Sequence, residues 1–284
     1  MSARLAGRLG RRVRRGARLA LKGLVQRARP RGDAAPLLLL VAGVQRSGTN
    51  MVMDVLERSL ETEVFHERDP RAFDNYEMRP LGVIAGLRER SRARVVVVKA
   101  LCELDHLTFL MDRLAPARAV WVVREWRDSV RSQLRSFPRH PGWIRRTLED
   151  PAEGGWIGRG LVGGGLLERA RRLAPRDMDD VTAAALFWWF RNMLLFEQGL
   201  DRDPRVQVLR YEDLVREPER AFAALFRHAG LRFEPSWASD VSPRSVGRGA
   251  GLEAAPAVAR ACDALLERIG ALAGAATAEG EAAA

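Results

Sequence analysis

Eight consecutive residues, Gly43, Val44, Gln45, Arg46, Ser47, Gly48, Thr49 and Asn50, follow directly on the apolar run Leu37–Ala42. Gly43 and Gly48 have the spacing of the first and last glycines of a phosphate-binding P-loop. Such a loop, opening into a helix, offers backbone N–H groups and a positive helix terminus to a phosphate-like anion. An ATPase would continue with Lys-Ser or Lys-Thr. Here Thr49-Asn50 stands in that place, and the basic residue, Arg46, lies inside the loop. The lysine and hydroxyl that serve a magnesium-bound triphosphate are gone, which predicts a nucleotide ligand without ATP hydrolysis.

Two further apolar runs end in cations. Val95–Val98 leads into Lys99, and Val120–Val123 into Arg124. In open α/β sheets ligands bind at the carboxyl ends of the strands, so these cations are expected to meet a polyanion. Val206–Leu209 also ends in a cation, Arg210, read as an exposed loop start. None of these runs ends in the aspartate that would help to hold Mg²⁺. Past Arg124, either Asp128 or Ser129 is suited to cap a helix, and Ser132 lies one turn into it. A strand-end arginine with a nearby hydroxyl grips a phosphate through charge-assisted hydrogen bonds. The ligand implied carries two separated anionic groups.

The elements that must position these residues alternate. Strands are predicted over 37–42, 63–65, 94–98, 119–123 and 206–209, and helices over 48–60, 81–91, 104–114, 128–136, 178–199 and 217–229. Short apolar strands alternating with helices predict one three-layer α/β domain, about residues 36–270, around a parallel doubly wound sheet with a P-loop nucleotide-binding fold. Residues 154–165 hold seven glycines, the pattern of a mobile lid. The string Gly158-Arg-Gly-Leu-Val-Gly163 matches a dinucleotide fingerprint, but no strand precedes it. Phe187, Trp188, Trp189 and Phe190 cannot share one helix face and read mostly as core. Residues 271–284 are alanine-rich and read as a disordered tail.

Of the 284 residues, 47 are Lys or Arg and 36 Asp or Glu, a net charge of +11. Residues 1–32 contain eleven of the cations and no acid, so the remainder is formally neutral. That argues against a nucleic-acid partner, whose binders carry basic charge on the folded face. In residues 1–33 Leu5, Leu9, Val13, Ala17, Ala20 and Leu24 fall near helical spacing, with arginines mostly opposite. Either a basic amphipathic helix on an anionic membrane surface or a solvated arm is consistent with this tail; Gly7, Gly10, Gly16 and Gly23 favour the arm. It lacks the continuous apolar core of a secretory signal, though an Arg-rich transit peptide fits its composition. Two cysteines and four scattered histidines give neither a disulfide framework nor metal-ligand spacing.

With these residues set out, the chain resembles the sulfotransferases that use 3′-phosphoadenosine 5′-phosphosulfate (PAPS), and most closely their bacterial-type members. Residues 43–50 look like the family's 5′-phosphosulfate loop, commonly Pro-Lys/Arg-Ser-Gly-Thr-Thr. Residues 123–132, Val-Arg-Glu-Trp-Arg-Asp-Ser-Val-Arg-Ser, are similar to its 3′-phosphate motif, and Arg210-Tyr-Glu-Asp-Leu214 to its Tyr-Glu-Asp-Leu segment. The three stand in the family's order over residues 37–235. The resemblance implies that Gly43, Arg46, Ser47, Gly48, Thr49 and Asn50 hold the 5′-phosphosulfate, that Arg124 and Ser132 hold the 3′-phosphate, and that Lys99 sits near the transferring group. Gln45, Asn50 and Trp126 depart from the family pattern. A later Gly-rich, basic segment is only loosely matched by Arg244, Arg248 and Gly249.

The implied reaction is sulfuryl transfer from PAPS to an acceptor hydroxyl or amine by in-line attack, with no metal required. Arg46 and Lys99 would stabilise the growing charge. Many soluble members carry a histidine two residues after the strand-end lysine; here that position is Leu101. Glu67, with His66 second, is the expected general base at the end of the second strand. The alternatives are a P-loop kinase or NTPase, and a non-catalytic nucleotide-binding module. The acceptor is a saccharide, lipid, peptide or small metabolite. The expected location is the cytoplasm, peripheral on the inner membrane face through residues 1–32.

Overall fold

Leu38, Leu40 and Ala42 point to one side of the first strand and Leu39 and Val41 to the other, and all five are buried. An apolar run with no polar face needs cover on both sides, which is the condition for a parallel sheet between two helical layers. A computed structural model, describing residues 3–28, 35–137, 140–163 and 165–282, has that arrangement. The strands are β1 (Leu37–Gly43), β2 (Thr62–Phe65), the short pair β3 (Phe73–Asp74) and β4 (Glu77–Met78), β5 (Val95–Ala100), β6 (Ala117–Val123) and β7 (Val206–Arg210). Five form one parallel sheet in the order β2-β5-β1-β6-β7, and β3 pairs antiparallel with β4. The order reverses at β1, so a crevice opens at its carboxyl end.

The helices are α1 (Ala3–Ala28), α2 (Thr49–Leu56), α3 (Leu81–Arg90), α4 (Leu107–Arg113), α5 (Trp126–Ser136), α6 (His140–Glu149), α7 (Trp156–Arg159), α8 (Leu166–Leu173), α9 (Asp180–Glu197), α10 (Tyr211–Arg216), α11 (Pro218–His228) and α12 (Pro256–Ala282). Helices α2, α10 and α11 cover one face of the sheet, while α4, α5, α9 and α12 cover the other. Every predicted strand is present. Helices α6, α8 and α12 were not expected: their apolar positions are short-spaced or alanine-rich. Alanine has the best intrinsic helix propensity, and α12 runs through the alanine-rich stretch as far as Ala282.

Helix α9 explains the aromatic run. Asp179 caps it, its carboxylate accepting from the Thr182 N–H at 2.7 Å. Phe187, Trp188, Trp189 and Phe190 are all buried because α9 is wrapped on several sides. Within the glycine-rich residues 154–163, Gly154, Gly158 and Gly160 are packed, while Gly155 and Gly163 have open space around them. A Cβ on Gly158 would strike the Pro151 carbonyl, and one on Gly160 would meet Leu194 at 2.9 Å. No strand precedes Gly158, so the dinucleotide fingerprint has no structural context.

Helix α1 lies against the edge of the sheet. Lys22, 4% exposed, donates from Nζ to the Glu57 carbonyl and to Thr62 Oγ1, both at 2.9 Å. Gln26 Nε2 donates to the carbonyls of Thr62 (2.8 Å) and Leu60 (3.1 Å), satisfying acceptors along the edge strand β2. Edge strands left open in this way invite pairing with other chains. Burial lowers the Lys22 pKa from its ordinary 10.5 to about 8, partly offset by Glu57. Between those values the unfolded chain binds more protons than the folded one, so stability rises with pH across the window. Relative to Lys22→Met, the wild type is expected to gain up to about 3 kcal/mol between pH 8 and pH 10.5. Urea melts of both proteins across that range measure it; parallel curves would place Lys22 in solvent.

Candidate active site

Strand parity decides where the strand-end cations point. On β5, Val95 and Val97 face the α2 layer while Val96 and Val98 face the α9 layer, so Lys99 emerges on the α2 side. There Nζ donates to Asn50 Oδ1 at 2.6 Å and to Glu67 Oε2 at 2.5 Å. Asn50 comes from the first turn of α2 and Glu67 from just past β2, whose Phe65 is level with Val98. The Lys99 side chain is 2% exposed. Burial holds its pKa below the ordinary value, with Glu67 pulling the other way. Glu67, and not His66, meets the lysine. His66 Nε2 lies 3.2 Å from Glu57 Oε1, on the side of α2.

The loop between β1 and α2 is held in a shape that excludes larger residues. Gly43 (φ +141) is level with Val122 of β6, and a Cβ there would strike the Val122 carbonyl. Gly48 (φ +104) lies against the Tyr211 ring, where a Cβ would collide. Arg46 sits at φ 72, a left-handed conformation unusual for a side-chain-bearing residue. Such local strain is concentrated at functional sites. Ser47, 1% exposed, has its Oγ buried without a partner. A buried hydroxyl left unpaired inside a glycine loop is a place for an external acceptor. Arg46 reaches across the mouth, its Nε donating to Ser132 Oγ at 2.9 Å.

Arg124 leaves β6 on the same face as Val120 and Val122. Its guanidinium stacks on Tyr211, 4.5 Å from the ring centre. Nη2 donates to the Ser245 carbonyl at 2.6 Å and lies 3.6 Å from Asp128 Oδ2. Trp188 Nε1 donates to the Arg124 carbonyl at 3.2 Å, bracing the strand end from α9. Neither Asp128 nor Ser129 caps α5. Glu125 does, accepting from the Asp128 N–H at 2.8 Å, because the helix starts earlier, at Trp126. Asp128 is thereby free to accept from the N–H groups of Gly247 (2.8 Å) and Gly249 (2.5 Å). Gly249 packs directly on the Arg127–Asp128 backbone.

The structure therefore gathers Arg46, Ser47, Gly48, Thr49, Asn50, Lys99, Glu67, Arg124 and Ser132 at one edge of the sheet. Two features matter more here than their residue types suggest. One is the segment from Ser245 to Gly249, suggested only by its glycines and arginines. The other is Tyr211, whose ring underlies both Gly48 and Arg124 and whose hydroxyl is hydrogen-bonded to Ser245 Oγ. Arg210, expected as an exposed loop start, ends β7 half-buried with its Nε buried, and takes no place among these contacts. The hairpin β3–β4 abuts the site's far side: Glu103 accepts from the Met78 N–H at 2.7 Å, and Arg159 bridges Glu77 (2.7 Å) and the Cys102 carbonyl (3.2 Å). Fully buried Arg191 donates to the Leu101 carbonyl at 2.8 Å, and burial lowers its pKa to about 10.

Comparison with known proteins gives fold-level likenesses only. No protein-family model matches the chain, and no curated protein matches it. Among solved structures, a sulfotransferase from Alicyclobacillus acidocaldarius is 16% identical, with TM-score 0.48, over 85% of this chain and 95% of that one. The sulfotransferase domain of the Synechococcus PCC 7002 olefin synthase is 12% identical, with TM-score 0.46, over 84% and 98%. A mouse sulfotransferase, SULT7A1, complexed with PAP, is 10% identical, with TM-score 0.40, over 76% and 65%.

Two glycines should respond in opposite directions. Gly48→Ala forces a Cβ into Tyr211 at a positive φ, and is expected to cost roughly 2 kcal/mol or more. Gly82, in the first turn of α3 with open space around it, should gain about 0.5–1 kcal/mol as alanine. Urea denaturation of both variants measures this. A neutral Gly48→Ala would contradict the close approach of loop and ring.

Proposed function

We propose that this protein is a PAPS-dependent sulfotransferase, moving a sulfuryl group to an acceptor hydroxyl or amine. The observation that carries the proposal is two cation subsites around one glycine loop: Lys99 against Asn50 at the start of α2, and Arg124 stacked on Tyr211, with Arg46 bonded to Ser132 across the mouth. Two such subsites suit a ligand that carries two anionic groups. Unpaired Ser47 Oγ and the glycine-only positions 43 and 48 fit such a ligand.

Bound PAPS would supply the transferable sulfuryl group and a phosphate leaving group. Ser47, Thr49 and Asn50, with the loop N–H groups, would hold its 5′ end. Arg124, backed by Tyr211, would hold the 3′-phosphate, with Ser132 beside it. Lys99, 2% exposed and ion-paired with Glu67, would act on the developing charge from a water-poor setting, where a cation is worth far more than in solvent. Asn50 and Glu67 fix its Nζ in place. Glu67 is the base: its carboxylate takes the proton from the acceptor as the acceptor heteroatom bonds to sulfur. Partly exposed, with 28% of its side chain accessible, it remains open to an acceptor while bonded to Lys99. Metal independence rests on Thr49 and Arg124 standing where a magnesium-dependent NTPase needs Lys and Asp. The acceptor classes proposed are saccharides, lipids and small metabolites.

Calorimetric titration tests this. 3′-Phosphoadenosine 5′-phosphate is expected to bind, and Arg124→Ala to weaken it about tenfold or more. Binding of ATP with Mg²⁺ alone would replace the proposal with a kinase-class reading. Glu67→Gln still accepts from Lys99 but takes no proton, so it should retain nucleotide affinity while turnover falls roughly 10²- to 10⁴-fold. Full turnover in that variant would remove Glu67 from the mechanism.

A further inference from the structure

Helix α1 is turned the wrong way round for a helix docked on a globular core. Its inward side chains are Arg18, Lys22 and Gln26, one helical stripe, with Lys22 and Gln26 bonded to the body. Its outward stripe is Ala17, Leu21, Leu24 and Ala28. Leu21 is 54% exposed and Leu24 64%; Leu19, 41% exposed, lies on the other flank and lines the cavity beside the helix. A docked amphipathic helix ordinarily buries its leucines. Here the body takes the polar stripe, and the apolar one is left facing out.

Basic groups surround that stripe. No acid occurs in residues 1–32. Between α1, β2 and the end of α3 lies a cavity of about 530 Å³, with Lys22, Gln26, Arg27, Arg90 and Arg92 among its lining. Arg27, Arg90 and Arg92 are exposed at its rim. The acids that face it are engaged: Glu57 with His66 (3.2 Å), Glu63 with Ser91 Oγ (2.6 Å) and Asp69 with Arg71 (2.7 Å). Among the described residues no helix is long and apolar enough to cross a membrane.

We propose that the outer face of α1, with the arginine-rimmed cavity beside it, docks on an anionic lipid bilayer. The leucines would enter the headgroup boundary while the arginines meet lipid phosphates. Charge selects this occupant over a second copy of the chain. Another copy would bring its own acid-free basic helix to the same face, and like charges would repel. The proposal stands apart from the nucleotide site, and its test does not use it.

The full chain should co-sediment with vesicles of phosphatidylcholine and phosphatidylglycerol at 3:1, and not with phosphatidylcholine alone. Raising NaCl from 0.1 to 0.5 M should release it, because surface electrostatics are screened. Leu21→Glu with Leu24→Glu should lower the bound fraction about tenfold with an unchanged melting curve, since both side chains face outward. Arg90→Ser, on α3, should lower it several-fold; Arg92 is kept because its Nη1 donates to the Arg27 carbonyl of α1 at 2.6 Å. Three results would overturn the proposal: no binding to anionic vesicles, equal binding to neutral ones, or undiminished binding by both the leucine and the Arg90 variants. Light scattering without lipid that shows a dimer, dissolved by the leucine substitutions, would also overturn it in favour of self-association.

Discussion

A parallel strand buried on both faces can send a charged side chain out only at its end, and this constraint organises the site. β1, β5 and β6 run side by side, with Val41 level with Lys99 and with Val120. Alternation along each strand then fixes which helical layer a terminal residue meets. Lys99 and Arg124 share parity with the valines of the α2 face, so both arrive on the side where the Gly43–Asn50 loop turns. Shifting either strand by one residue would send its cation into the α9 layer.

Buried charge is costly unless paired, and each buried cation near the site is paired in a way suited to an incoming anion. Lys99 is held by one neutral amide and one carboxylate. Arg124 is held by a carbonyl, an aromatic face and a more distant carboxylate. Neither is neutralised by a close bidentate carboxylate, as Arg71 is by Asp69. Asp128 spends its carboxylate on two backbone N–H groups of the 245–249 segment. Its role is therefore to fix the loop whose Ser245 carbonyl orients Arg124.

At the other end of the sheet, α1 closes β2 with polar groups. Lys22 and Gln26 satisfy edge acceptors that would otherwise face water or another strand. The same choice leaves Leu21 and Leu24 outside. Edge protection and an exposed apolar stripe are two consequences of one helix orientation.

The fold was largely legible in the chain because its signals are local. Valine-rich runs, helix periods and a glycine loop specify strands, helices and their alternation with little reference to distant residues. The nucleotide-site candidates were legible for the same reason, each standing at the end of such a run. What the sequence left open involves contacts between remote segments. The choice of Glu67 over His66 follows from the level of β2 against β5. The role of Asp128, left free by the Glu125 cap of α5, depends on N–H groups more than a hundred residues away. The packing of the glycines around 158, read as mobility, depends on Pro151 and Leu194 lying against them. The outward face of α1 was decided by what the edge of β2 needed. Composition and periodicity set which residues can form an element; only three-dimensional packing decides which side of it is buried.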